Sequence, residues 1–192
     1  ELAEAHVDAV LVQDMSILRY EVRGARYENS LATEGTQEWS MVNGQWSLAL
    51  HASTQTDNRT AEKVAWLKSL GFSRVVLTRE LSVEEIAAIH KAVPDVELEV
   101  FVHGALCVSY SGLCYASQHC FGRSANRGAC AQVCRMKFAL VDAEGQLLEH
   151  DRYLLSLKDM NQSDHLMEVI EAGASSFKIE GRLKDVAYVK NV

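Results

Sequence analysis

Five cysteines are the residues of this 192-residue chain best equipped for chemistry: Cys107, Cys114, Cys120, Cys130 and Cys134. All fall within 28 residues, and the other 164 contain none. A secreted disulfide framework spreads an even number of cysteines over a small domain, whereas a tight cluster points to metal. Four of them spell C-x6-C-x15-C-x3-C, with Cys120 left over. Such a set can be small buried hydrophobes, or a tetrahedral zinc site, although zinc ligands more often come as two close pairs. It can also hold a [4Fe–4S] core. Spacing alone leaves these three open.

Charge adds a second local signal. From Val100 to Val141 there is no Asp or Glu, but there are Arg123, Arg127, Arg135 and Lys137, with His103 and His119 beside them. The window carries about +4, which leaves −11 elsewhere in a chain of net charge −7. A basic island around a metal site in an acidic protein suggests an anionic ligand, either a small dianion or an RNA backbone. It can equally balance the negative charge of the metal site.

The elements that must position these residues repeat as a short β-branched strand followed by an amphipathic helix. Strands are expected at 9–13, 48–51, 74–78, 97–103 and 176–180. Ser82 and Glu85 have the spacing of a capping box, with Leu81 and Ile86 placed as a hydrophobic staple. Pro94 ends that helical region. Gly71 and Gly173 follow helices carrying Val64 and Leu67, and Leu166, Val169 and Ile170, and suit left-handed caps. Alternation of this kind predicts an α/β fold with a parallel sheet. Polar residues collect at the strand ends, where such folds bind ligands: Gln13-Asp14, His51 to Gln55, Arg79-Glu80, His103 and Glu180 to Arg182. The cysteine segment, 104–137, starts directly after the strand 97–103, so its metal would sit on that face.

Composition removes whole classes. With 48% hydrophobic and 23% charged residues and one proline, the chain is ordinary globular protein rather than disordered or collagen-like. No apolar run approaches the ~18–20 residues of a membrane span. Nothing resembles an export signal, so a cytoplasmic location is expected. Glu1 opens on a helical pattern and the last residues, 184–192, read as another, so the segment is expected to be part of a longer protein. Two stretches break the repeat. Residues 23–47 are polar and aperiodic, with Trp39 and Trp46 flanking a hairpin signal at Asn43-Gly44. Residues 138–152 read as a small β-hairpin.

The run from Glu99 through His103, Cys107 and Cys114 to Ser117 resembles the signature of the peptidase U32 family. The likeness continues from Arg123 to Arg135, at 153–159, and from Phe177 to Asp185. His51 to Gln55 and Arg79 to Ser82 are also similar. It spans nearly the whole chain except the atypical insertion 23–47. Within the family, the wording at 123–135 and 177–192 is most similar to the branch that hydroxylates ribosomal RNA.

The resemblance implies a TIM-barrel-like (β/α)8 fold, of which residues 1–192 cover the fourth to eighth strands. It further implies a [4Fe–4S] cluster on Cys107, Cys114, Cys130 and Cys134, in preference to zinc. The implied activity is formation of 5-hydroxycytidine in 23S rRNA with prephenate as hydroxyl source; related branches act on tRNA uridine. C5 of a pyrimidine is poorly disposed to attack by water, so the reaction needs redox help. By location, Arg79, Arg123, Arg127 and Arg182 are the expected anion-binding side chains. His51 and His103 are the expected proton-transfer groups, with Glu80 and Glu180 orienting them. The family's peptidase label is the rival reading, and a non-catalytic RNA-binding module is a third. For a peptidase the chain lacks His-Glu-x-x-His and Gly-x-Ser-x-Gly motifs, and its cysteines are spaced as ligands.

Overall fold

A computed structural model describes residues 7–16, 41–42, 45–46 and 49–192. In chain order its elements begin with β1 (Ala9–Val12), β2 (Met41–Val42), β3 (Gln45–Trp46) and β4 (Ala49–Ala52). Then come α1 (Ala61–Ser69), β5 (Phe72–Val76), α2 (Val83–Ala92) and β6 (Glu97–Gly104). The cysteine segment holds α3 (Ala116–Phe121), followed by β7 (Phe138–Val141), β8 (Leu147–Arg152) and β9 (Met160–Asn161). The chain closes with α4 (Leu166–Glu171), β10 (Ala174–Glu180) and α5 (Val186–Asn191).

The main sheet runs β1-β4-β5-β6-β10, with every neighbouring pair parallel, and β9 adds antiparallel to the end of β6. The expected parallel α/β sheet is therefore present. One face is covered by α1 and α2, and between them Leu50, Val64, Leu67, Val75, Leu77 and Leu98 are fully buried. Helix α2 starts where the sequence places it: Ser82 and Glu85 form the reciprocal capping box. Gly71 and Gly173 adopt φ of +92° and +100°.

Boundaries moved in places. The third strand begins at Phe72 and stops at Val76, because Thr78 N–H is drawn instead to Asn58 O at 3.1 Å. The last helix starts at Val186, capped by the Asp185 carboxylate accepting from Tyr188 N–H. Strands β7 and β8 pair as the expected hairpin. Met41–Val42 and Gln45–Trp46 also pair antiparallel, while the expected hairpin signal Asn43-Gly44, the rest of 23–47 and Leu48 lie outside the described residues.

The other sheet face is ionic. Arg74 meets Glu97 at 2.6 Å and Glu99 at 3.5 Å. Lys178 meets Glu99 at 2.9 Å, and Ser176 Oγ donates to it at 3.1 Å. Burial alone would push the Glu99 carboxyl up, but Lys178, Ser176 and Arg74 outweigh it and hold it below the usual range. Among the described residues no helix is long and apolar enough to cross a membrane.

Candidate functional site: a cysteine-lined cleft at the strand ends

After Gly104 the chain leaves β6 and folds over the carboxyl ends of the strands, enclosing a cleft of about 280 Å³. Gly104 makes this exit possible. Its φ is +117°, and a Cβ there would lie 2.5 Å from Glu180 O. Gly112, at φ +81°, lets the segment lie against the β4 loop, where a Cβ would stand 2.7 Å from Gln55 O.

Cys107, Cys114, Cys130 and Cys134 all line this cleft, and Cys120 does not. The segment that carries them has little apolar core and is held by point contacts. Glu80 accepts from Ser111 N–H at 2.6 Å and lies 3.2 Å from its hydroxyl. Ser117, almost fully buried, accepts from Ala131 N–H at 3.0 Å and donates to Cys130 Sγ at 3.7 Å. Gln132 N–H donates to the same sulfur at 3.3 Å, which Gln132 reaches through a left-handed backbone with φ of 54°. Arg123 Nε ties the loop to Ala129 O at 3.1 Å.

Arg135 is a residue that spacing alone did not single out. Its guanidinium donates to Leu106 O at 3.1 Å, to Ser156 Oγ at 2.8 Å and to Leu157 O, and pairs with Asp159 at 3.3 Å. It thus joins the neighbours of Cys107 and Cys134 to the loop between β8 and β9. The visible signal was only its membership of the basic island.

The expected anion-binding arginines divide. Arg79 and Arg182 line the cleft. The Arg79 guanidinium stacks 3.6 Å above the Phe101 ring and pairs with Glu180 at 3.0 Å. Burial lowers the Arg79 pKa, while Glu180 opposes that shift. Glu180 also accepts from the main-chain N–H of Arg182 at 2.9 Å, so this carboxylate orients the Arg79 side chain rather than a histidine. Arg127 lines an adjoining polar groove with Gln13 and Asp14. Arg123 lines neither cavity.

Neither expected imidazole lines the cleft. His51 sits on the ionic face of the sheet, where burial and then Arg74 lower its pKa. His103 Nδ1 lies 2.8 Å from Tyr188 Oη. Glu80 holds Ser111, so its part is to position the cysteine segment.

Among the described residues no three His, Cys, Asp or Glu side chains are gathered as they would be around a single metal ion. Burial pushes the Cys107 thiol up, and the nearby Cys134 and Cys114 sulfurs add to this, partly offset by Ser109 N–H and Arg79.

The profile of peptidase family U32 matches residues 40–192. The chain belongs to the peptidase U32 family. It is 45% identical over 192 residues to the 23S rRNA 5-hydroxycytidine C2501 synthase of Escherichia coli K12, covering 100% of this chain and 26% of that protein. It is 38% identical over 152 residues to tRNA hydroxylation protein P1 of Bacillus subtilis 168, covering 76% of this chain and 36% of that one. A collagenase of Porphyromonas gingivalis W83 is 36% identical over 155 residues, covering 74% and 37%. This U32 chain therefore spans about a quarter to two fifths of its curated relatives' length. The solved structure of the U32 peptidase Mk0906 matches 80% of the chain and 53% of its own, with a TM-score of 0.42 and 19% identity.

Proposed function

We propose that this U32 chain is the cysteine-bearing part of an RNA hydroxylase that forms 5-hydroxycytidine in 23S rRNA. One observation carries the reading: the four cysteines of the C-x6-C-x15-C-x3-C set meet in a single strand-end cleft and the fifth stays outside. The 45% identity to the 23S rRNA synthase supports the choice of substrate. The same chemistry on tRNA is the neighbouring reading, supported by the tRNA hydroxylation relatives.

Four thiolates lining one cleft fit a [4Fe–4S] cluster, the group that the U32 resemblance implies in preference to zinc. A four-iron cluster takes one thiolate per iron at separate corners. When bound, it supplies electrons or a Lewis-acid site that C5 hydroxylation lacks.

The chain's own residues do the rest. Arg79 and Arg182 present guanidinium groups to an anionic co-substrate, for which prephenate, a dicarboxylate, is proposed. Glu180 holds the Arg79 guanidinium and the Arg182 main chain, and Val76 and Leu106 give the lining an apolar patch. Cys130 Sγ accepts from Ser117 and Gln132 and neither His51 nor His103 lines the cleft, which disfavours a cysteine–histidine protease. Strand order rises monotonically with sequence and never reverses, as in a singly wound (β/α)8 barrel rather than a doubly wound sheet. The five strands are accordingly proposed as the fourth to eighth of a barrel. A cytoplasmic location is part of the proposal, in keeping with an RNA substrate and a cysteine-held cluster.

The test is nucleoside mass spectrometry of 23S rRNA and tRNA from cells lacking the gene, complemented with wild type or Cys130→Ala. Loss of 5-hydroxycytidine restored by wild type alone is expected. Loss of tRNA 5-hydroxyuridine instead moves the substrate, and no change in either RNA sinks the reading.

A further inference from the structure

Three polar atoms on cleft-lining residues have no partner although they are buried: Arg79 Nε, on the arginine proposed for the co-substrate, and Gln13 Oε1 and Thr54 Oγ1. Gln13 and Thr54 stand at the ends of β1 and β4, and a Cβ on Gly128 of the cysteine segment would lie 3.4 Å from Gln13 Nε2. A buried unpaired polar atom is costly, and a native structure that keeps one needs a reason. Looseness is not the reason. Thr54 is only 5% exposed, and its loop is fixed from within. Asn58, with no exposed surface, donates to Ser53 O at 2.8 Å and to Val76 O at 2.9 Å. Thr56 Oγ1 donates to Ser53 O at 2.8 Å, and Gln55 N–H to Ser53 Oγ at 3.2 Å.

The chemistry of these orphans narrows the ligand. As placed, the Gln13 amide presents an acceptor, which suits a donor group better than a carboxylate; turned over, it donates. A hydroxyl beside it serves as donor or acceptor. Together they match a flat heterocycle edge that carries an amino group next to a ring acceptor. Gln13 and Asn126 also line the adjoining groove, where Arg127 supplies a cation and Asp14 a carboxylate. The two connected cavities thus offer hydrogen bonding within and a positive charge outside, the division that a nucleotide itself shows.

We infer that the strand-end floor of the cleft is the subsite for the hydrogen-bonding edge of an unpaired pyrimidine base, read by Gln13 and Thr54, with its phosphate on Arg127. This rests on the RNA hydroxylase reading and adds the place where the base enters. C5 is out of reach within a base stack, so the nucleotide must be single-stranded or extruded. The exocyclic amino group of cytosine donates to Gln13 Oε1. Uracil, with a carbonyl there, requires the amide to turn over.

The experiment uses the complete protein with its iron and sulfide loaded. Binding is measured for a short single-stranded RNA with one central cytidine, and for the same RNA abasic at that position. Gln13→Leu and Thr54→Val are expected each to weaken the cytidine RNA about tenfold. Neither changes the abasic RNA, the iron content or the melting curve. Arg127→Gln weakens both RNAs alike and lowers the salt dependence by about one counterion. Equal binding of the two RNAs by wild type overturns the inference, as does equal weakening of both by the Gln13 and Thr54 variants. A loss seen only in half-saturation by prephenate reassigns the floor to the co-substrate and also overturns it. Wild type that binds neither RNA removes the RNA reading itself, a separate failure.

Discussion

The sheet with its two helices and the cysteine segment laid over it are built on opposite principles. Around Leu50, Val75 and Leu98 the body is held by apolar burial, with 0–1% of each residue exposed. In the segment, Val108, Leu113 and Phe121 are 46–54% exposed, and shape comes from single contacts such as Glu80 to Ser111 and Arg135 to Leu106 O. Apolar burial is non-directional and spread over many atoms, whereas a hydrogen bond acts at one point. The body should therefore lose stability when damaged, and the segment should lose its site while the body stays folded.

The largest break lies in the body. Leu98→Ala removes a fully buried side chain from the centre of the sheet and is expected to cost about 2–5 kcal/mol of unfolding free energy. Urea denaturation of the protein measures it, with the iron of the proposed cluster lost only in step with unfolding. A variant that lost iron with unchanged unfolding would erase the proposed division.

The converse experiment is Glu80→Ala. It leaves Ser111 N–H, in a buried residue, without its carboxylate, a local cost of about 1–3 kcal/mol. Unfolding of the body should stay nearly constant while iron per chain falls and protease cuts the 105–115 stretch faster. Equal effects on both readouts would mean that segment and body unfold as one unit.

These contacts also explain what could be read in advance. Strands, helices and caps were legible because their signals are local: the Ser82–Glu85 box spans three residues, and the glycine caps sit beside the helices they end. The parallel sheet followed from alternation alone. The four-cysteine set was visible as spacing, but its convergence on one cleft is a tertiary fact. Pairs such as Glu80–Ser111, His103–Tyr188 and Arg79–Glu180 join residues 31, 85 and 101 positions apart. No periodicity carries that information. The place of Glu80 and His103 at strand ends suggests catalysis, whereas the geometry gives one to Ser111 and the other to Tyr188.

A smaller effect tests the ionic face of the body. Because Glu99 is held below the usual carboxylate range, its contribution is complete above the ordinary glutamate value, about 4.3. It is lost as pH falls through the lower folded value. Lys178→Met removes the partner at 2.9 Å. With Lys178 partly exposed, the loss near neutrality should be about 1 kcal/mol. Melting temperatures from pH 7 to about pH 3 should show the gap between wild type and variant narrowing as the carboxyl protonates. A gap independent of pH would assign the effect to packing of the lysine stem.

The smallest expected effect lies at Cys120. It shares α3 with Ser117, yet Ser117 is buried and bonded to Ala131 N–H and Cys130 Sγ, whereas Cys120 is exposed and outside the cleft lining. A helix of six residues that ends at Gly122 with φ of 65° leaves Cys120 near its last turn, where a side chain bears on little else. Cys120→Ser should leave iron content unchanged and stability within about 0.5 kcal/mol, while serine at Cys107, Cys114, Cys130 or Cys134 lowers iron. Iron loss at Cys120 equal to that at Cys130 would mean that the segment closes differently when loaded, because a sulfur outside the cleft can become a ligand only if α3 moves.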